Sequence, residues 1–315
     1  MDNTRMREAI DAIIAGFIKM REVVMDDAPE IKPLTAAPPV AANKDTYDSF
    51  DSLKKALESD KWPEAVNKNL VCDPDSEIDK VERGRGIIEL MVEEELPNLR
   101  FLDYGCGDGY SALYVASEKA DISVGYDIKK HDVWEKHPKS DNLLFLDKFD
   151  DVAAKGPYDV ILLFDVLDHL VKEQPAEVLK KAASVLKPTG KIYMRTHPWT
   201  SRHATHMYHD LNKAYVHLVF TEEELEQIVQ SKHKDENIGV LYPLKTYSDF
   251  ITGAGLKEVS RREIKEAVEP FFKIPKIAQR IMSRTKFQQF PEWQMSLQFI
   301  DYVLEKAQSP VAPAQ

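Results

Sequence analysis

The stretch FLDYGCGDGYSALYVAS, residues 101–117, restricts the fold more than any other part of the chain. Apolar Phe101 and Leu102 end a strand, Asp103 closes it, and Gly105, Gly107 and Gly109 form a tight loop opening onto the helical SALYVAS. Glycine tolerates positive φ and lets a ligand approach the backbone where a Cβ would collide, so this is a loop suited to cradling something. The spacing Gly105-x-Gly107-x-Gly109 is not the G-x-G-x-x-G of dinucleotide sites, and the chain has no G-x-x-x-x-G-K-[ST] phosphate loop. Pyrophosphate binding is therefore disfavoured.

The same texture continues downstream. RFLDYG, ISVGYDI, NLLFLD, YDVILLFD and GKIYMRTH are short β-like runs separated by helical segments, the pattern of an open parallel sheet covered by helices. LKEVSRRE and MSLQFIDYVLE follow, with a long helical insertion between them, and read as a terminal antiparallel pair. The predicted fold is α/β: a Rossmann-like, seven-stranded, mostly parallel sheet with helices on both faces, spanning 97–308 and preceded by a helical N-terminal extension. Within that extension, residues 45–96 show apolar residues at spacings of three and four and are predicted to be a helical lead-in. Residues 1–27 carry a heptad seam through Met6, Ile10, Ile13, Phe17, Met20 and Val24. A lone helix of that length is marginal, so it must pack on its own domain or pair with another chain. The Pro- and Ala-rich 28–44 suits a semi-extended linker, and 309–315 a frayed tail.

Composition narrows the partners. A formal net charge of -11 repels phosphate backbones over most of the surface, which makes nucleic acid an unlikely partner. Between Arg261 and Lys286, eight Lys or Arg stand against three Glu, either a solvated helix face or a local site for an anionic partner. No run of about 18 apolar residues occurs and the start is charged, so neither a membrane span nor secretion is expected and the location is predicted cytoplasmic. Two cysteines, Cys72 and Cys106, are too few for a disulfide framework or a cysteine zinc site.

Eighteen residues beyond Gly109, Asp127 stands at the end of ISVGYDI, where a carboxylate can accept two hydrogen bonds from ribose hydroxyls. After NLLFLD, Asp147 is placed to accept from an exocyclic adenine amine. Taken together, LDYGCGDGYSALYVA, VGYDI, LLFLD, YDVILLFDVLDHL and VLKPTGKIYM resemble, in order and spacing, the successive motifs of the class I S-adenosylmethionine-dependent methyltransferases. The likeness covers roughly residues 80 to 200 strongly and continues weakly to 305. It implies S-adenosyl-L-methionine as cofactor, with Asp103, Gly105, Cys106, Gly107 and Gly109 around its methionine part. It further implies Asp127 and Ile128 at the ribose, Asp147 and Lys148 flanking the adenine, and Phe164 and Asp165 facing the cofactor and the methyl-transfer site. Asp168 stands where the family often has Glu, and Thr189 where a Gly is common; neither removes an expected contact. The resemblance gives Cys106 a small packed side chain's role, and His169 a polar place at the rim of the pocket.

The acceptor side is read from RTHPWTSRHATHMYHD, residues 195–210. GKIYMRTH is a strand, so His197 emerges at its C-terminal end, the edge where open α/β sheets bind ligands. An imidazole can take a proton near neutral pH, which makes His197 the candidate base, with His203 and Asp165 as further catalytic candidates. Arg202 is either an anion clamp or a solvated arginine. His203, His206 and His209, with Asp210, match no established ligand spacing, so no metal is expected. His217 precedes a helix capped by Thr221 and Glu224 and is read as structural. Phe164-Asp165-Val166-Leu167 replaces the Pro-Pro-aromatic pattern of amino-methylating enzymes, and the Pro-Cys nucleophile of cytosine-5 enzymes is absent. The expected function is direct methyl transfer to an oxygen of a small molecule or saccharide. A protein methyltransferase, and a noncatalytic subunit docked by its N-terminal helix, remain open as alternatives, as does self-association through residues 4–25.

Overall fold

The computed structural model describes residues 47–66, 76–171, 173–203, 211–228, 242–285 and 292–307. The heptad segment, the linker, Cys72, His206, His209, Asp210 and the tail lie outside the described residues. Seven strands form one sheet: β1 Arg100–Tyr104, β2 Ile122–Tyr126, β3 Leu143–Leu146, β4 Tyr158–Phe164, β5 Leu186–Thr196, β6 Leu256–Lys265 and β7 Leu297–Lys306. Their order is β3-β2-β1-β4-β5-β7-β6. Strands β1 to β5 pair in parallel, and β7 runs antiparallel to both neighbours, which makes it the one reversed strand of the seven. Central β4 is apolar almost throughout, as a strand covered on both faces must be.

The period of two along β1 sorts the two faces. Leu102 and Tyr104 point into a core with α5 (Gln174–Val185) and α8 (Leu244–Gly253), through Leu179, Ala182, Tyr247 and Ile251. Phe101 points the other way, into a core with α2 (Glu77–Met91) and α3 (Tyr110–Ser117) through Ile88, Met91 and Val115. A third cluster joins α1 (Phe50–Leu57) and Trp62 to α6 (Val216–Val219) and α9 (Pro275–Thr285). There the Trp62 indole donates to the Ala214 carbonyl at 2.8 Å, and the Ala214 amide donates to Pro63. That cluster pins the chain leaving β5, because the Tyr215 amide donates to Arg202 and the Trp199 side chain packs into it.

Elements expected from the sequence differ from the structure mainly at their ends. β5 starts at Leu186, four residues before GKIYMRTH, because it pairs with Tyr158 across a register shift in β4. β7 starts at Leu297, since Met295 closes a short helix, Glu292–Met295, rather than opening the strand. The capping box before α7 (Glu222–Ile228) forms as read: the Thr221 amide donates to Glu224 at 2.9 Å and the Glu224 amide to the Thr221 hydroxyl at 3.1 Å. Among the described residues, no helix is long and apolar enough to cross a membrane.

Candidate active site

Strand order reverses direction between β1 and β4, and ligands of open sheets bind outside the carboxyl ends of strands at such a point. The loops that meet there are the glycine loop after β1, Asp127 after β2 and Asp165 after β4. They line a cavity of about 360 Å³ together with Tyr104, Ile128, Val166 and His169.

The glycine loop needs its glycines for two different reasons. Gly109 has φ +83°, and a Cβ there would come within 2.2 Å of the Phe145 ring. Gly107 has φ +50° but nothing within 4 Å of its absent Cβ, which would meet open space. The loop is held from outside by a residue the sequence did not single out. Trp134 stacks on Phe145 at 5.3 Å and 15°, and its indole donates to the Gly107 carbonyl at 2.8 Å. From inside, Asp127 accepts from the Gly107 amide and the Lys129 amide, each at 3.1 Å.

Asp103 lies at the end of β1, 5% exposed. Burial, and then the neighbouring Asp127 charge, push its carboxyl up to about 7, while Arg83 acts in the opposite direction. Burial drives the Cys106 thiol far upward, so it is no nucleophile; Sγ sits 3.7 Å from the Gly107 carbonyl as a packed group. Ile128 is 83% exposed at the cavity rim, an apolar surface with no protein covering it. Asp147 and Lys148 are exposed, and Asp147 lines an adjacent polar groove with Lys130 and Trp134 rather than the cavity of Asp127.

Across the switch point the chain builds a second feature. Asp165 has φ +54°, a left-handed conformation uncommon for a non-glycine residue, and its amide donates to the Arg195 carbonyl. This turn sets the Asp165 carboxylate 3.5 Å from His197 Nε2, and the buried Asp168 lies 3.9 Å from the same nitrogen. Donor atoms of Asp165, Asp168 and His197 all fall within 4.8 Å of one another. The His197 ring, 3% exposed, packs on Phe299 at 4.6 Å and meets His203 edge-on at 5.1 Å. Burial alone would lower the His197 pKa, but the Asp165 carboxylate, then Asp168, outweigh it and raise it. Burial likewise opposes ionisation of Asp165, and His197 overrides it and holds that carboxyl low. Phe164 packs against the Arg195 guanidinium, which lies 4.9 Å from the Phe164 and Phe299 rings and clasps Asp301 at 2.6 and 2.8 Å.

Two other expectations resolve as scaffold. Arg202 donates to the Glu64 carbonyl and pairs with Glu269 at 2.5 Å, so it joins segments rather than standing ready for an anion. In the basic stretch, Arg262 pairs with Asp301, Lys265 with Glu263, Lys273 with Glu292 and Arg280 with Glu224, which matches a face that neutralises itself. His217 donates to the Trp199 carbonyl at 2.7 Å, and burial lowers its pKa to about 4.

Residues 77–232 match the model of a methyltransferase domain family. Similar solved structures include magnesium protoporphyrin IX methyltransferase from Synechocystis PCC 6803 with bound SAH, at 13% identity over 83% of this chain and 96% of that one, TM-score 0.45. Another is a SAM-dependent methyltransferase from Archaeoglobus fulgidus, at 16% identity over 72% of this chain and 94% of that one, TM-score 0.45. A third is an S-adenosylmethionine-dependent methyltransferase from Mesorhizobium loti, at 12% identity over 70% and 96%, TM-score 0.44. No curated protein matches the chain.

Proposed function

We propose that the chain, whose residues 77–232 match a methyltransferase domain family, is a class I S-adenosylmethionine-dependent methyltransferase that transfers a methyl group from S-adenosylmethionine to an oxygen of a small molecule or saccharide. The site's chemistry suits that cofactor. A nucleoside needs an apolar face and a ribose acceptor, supplied by exposed Ile128 and by Asp127. An amino-acid ammonium needs an anion, and Asp103 is a buried carboxylate that its surroundings leave poorly compensated. The open space at Gly107 leaves room for close approach to the backbone. When bound, S-adenosylmethionine supplies an electrophilic methyl on its sulfonium sulfur.

The observation that carries the oxygen reading is the pairing of Asp165, which lines the cavity, with His197 Nε2 directly behind it. A hydroxyl acceptor must lose a proton as its oxygen attacks, and general-base removal of that proton accelerates such steps. Asp165 orients the acceptor hydroxyl, and the neutral imidazole of His197 stores the proton at Nε2. Asp168 and Asp165 then stabilise the resulting imidazolium. Phe299 and His203 hold the ring in place.

The test is transfer of a labelled methyl from S-adenosylmethionine to a panel of sugars, phenols, carboxylic acids, amines and peptides. Label is expected in alkali-labile esters or in ethers, and to fall on the order of a hundredfold in His197→Ala. Label confined to amines or to protein would sink the oxygen assignment. The trio of Asp165, Asp168 and His197 has the dimensions of a divalent-cation site, so the assay is repeated after chelation. Unchanged turnover supports the proton-storing role, and loss that Mg²⁺ or Mn²⁺ restores would reassign the trio as ligands.

A further inference from the structure

The glycine loop is braced from outside by the stretch of chain that follows Asp127. Three successive loop carbonyls are turned to the protein. That of Cys106 accepts from the Gly109 amide at 2.8 Å, that of Gly107 from the Trp134 indole at 2.8 Å, and that of Asp108 from His137 Nε2 at 2.7 Å. Trp134 belongs to a single short turn, Asp132–Glu135, just after His131. The His131 ring stacks on the indole at 5.5 Å and 30°. Its Nδ1 lies 3.3 Å from the Asp108 carboxylate and its Nε2 3.9 Å from that of Asp127. Two of the three carbonyls are thus fixed by side chains, from a segment that starts beside the proposed ribose carboxylate.

Trp134 is itself held in place. It is 5% exposed, between His131 on one face and Phe145 on the other. Phe145 in turn fills a niche that two glycines leave open, since a Cβ at Gly109 or Gly125 would come within 2.2 or 2.7 Å of that ring. A phenylalanine would serve such a stack equally well; the indole adds a donor aimed at one carbonyl. The residue it grips is the one with most freedom. Gly107 has open space where a Cβ would stand, and glycine takes either sign of φ with little preference. Asp127 accepts from the Gly107 amide at 3.1 Å and Trp134 donates to the Gly107 carbonyl, so Gly107 cannot turn about φ or ψ without breaking one of the two bonds.

We propose that Trp134 is a positioning residue for the cofactor: its indole fixes the Gly107 torsions, so that S-adenosylmethionine meets a loop already in its binding conformation and no binding free energy goes into ordering it. The assignment rests on the S-adenosylmethionine reading above. Trp134→Phe tests it, because that change keeps a ring on Phe145 and removes only the donor. By titration calorimetry the Kd for S-adenosylhomocysteine is expected to rise roughly 3- to 10-fold, the size of one hydrogen bond. The Tm of the empty variant should stay within about 2 °C of the wild type, since a released loop relaxes into solvent. A side chain that merely supports the fold gives the opposite split, a lowered Tm with an unchanged Kd, and that result overturns the assignment. A second measurement uses the wild type alone. Saturating S-adenosylhomocysteine should shift the Trp134 indole N–H resonance in a proton–nitrogen correlation spectrum, while that of Trp62, bonded to the Ala214 carbonyl in the third cluster, stays in place. A Trp134 resonance that does not move at saturation likewise overturns the assignment. A wild-type chain that binds no S-adenosylhomocysteine would instead remove the cofactor reading itself, and this assignment with it.

Discussion

His197, the proposed base, has carboxylate neighbours that favour its charged form. Its pKa is raised above the ordinary 6.5, after burial has pulled it down, because two carboxylates face Nε2. Proton storage needs the neutral ring, so the rate of transfer to a hydroxyl should climb with pH through a midpoint above 6.5 and level off beyond it. Asp165→Asn removes the larger of the two charge effects, so its pH–rate midpoint should shift down while its plateau falls through lost orientation of the acceptor. A kcat/KM profile whose midpoint stays put in that variant would separate His197 from the titration. His217 behaves oppositely. Its folded pKa of about 4 lies below 6.5, so its contribution to stability is present above pH 6.5 and is lost as pH falls toward 4. Shifts of that size amount to up to about 3 kcal/mol. Thermal melts between pH 7 and 4 should therefore show a smaller acid-induced drop in His217→Gln than in the wild type; parallel curves would discard the assignment.

At the scale of elements, the glycine loop separates structure from function. Gly109→Ala would put a methyl 2.2 Å from Phe145, a ring that cannot swing away because Trp134 and His137 pack against it. With positive φ added, the expected loss is about 2–4 kcal/mol, read from denaturant midpoints. Gly107→Ala meets only open space and should cost about 1 kcal/mol, yet weaken S-adenosylhomocysteine at least tenfold because the new methyl occupies the approach to the backbone. If both variants lose stability equally, the space at Gly107 is not a ligand's. The contrast also shows what a sequence can and cannot reveal. Strands β1 to β5 were legible because each buried run is short, apolar and followed by a turn, and the glycine loop because its spacing is local. Trp134 was not, since its stacking on Phe145 and bond to Gly107 join the segment after β2 to β3 and to the glycine loop, which nothing in the sequence brings together. Asp168 was legible as a family position but not as a neighbour of His197, a contact made 29 residues away across β4 and β5.

For the whole molecule, the proposed cofactor would bridge loops that lie far apart in the chain and meet at one sheet edge. The glycine loop, Asp127 after β2 and the turn at Asp165 come from separate stretches of chain, and one ligand spanning them would add its binding free energy to the folded state alone. At a free concentration of 100 times Kd, S-adenosylhomocysteine should contribute about 2.7 kcal/mol, a rise in Tm of roughly 5–10 °C for a domain of this size. The rise should depend on pH in a definite direction. Asp103 has a folded pKa near 7 against an ordinary 3.8, so the empty protein favours its protonated form and loses stability as pH rises from about 4 through 7. A ligand ammonium favours the charged form, and binding must expel that proton below pH 7. The Tm shift should accordingly be larger at pH 8 than at pH 6, and calorimetry at pH 6 should register proton release on binding. Asp103→Asn supplies the control. It should raise the Tm of the empty protein at pH 8, by relieving a buried charge of about the same volume, and abolish most of the shift with S-adenosylhomocysteine. An empty variant less stable than the wild type at pH 8, or one that keeps the full ligand-induced shift, would mean that Asp103 serves the fold rather than the cofactor.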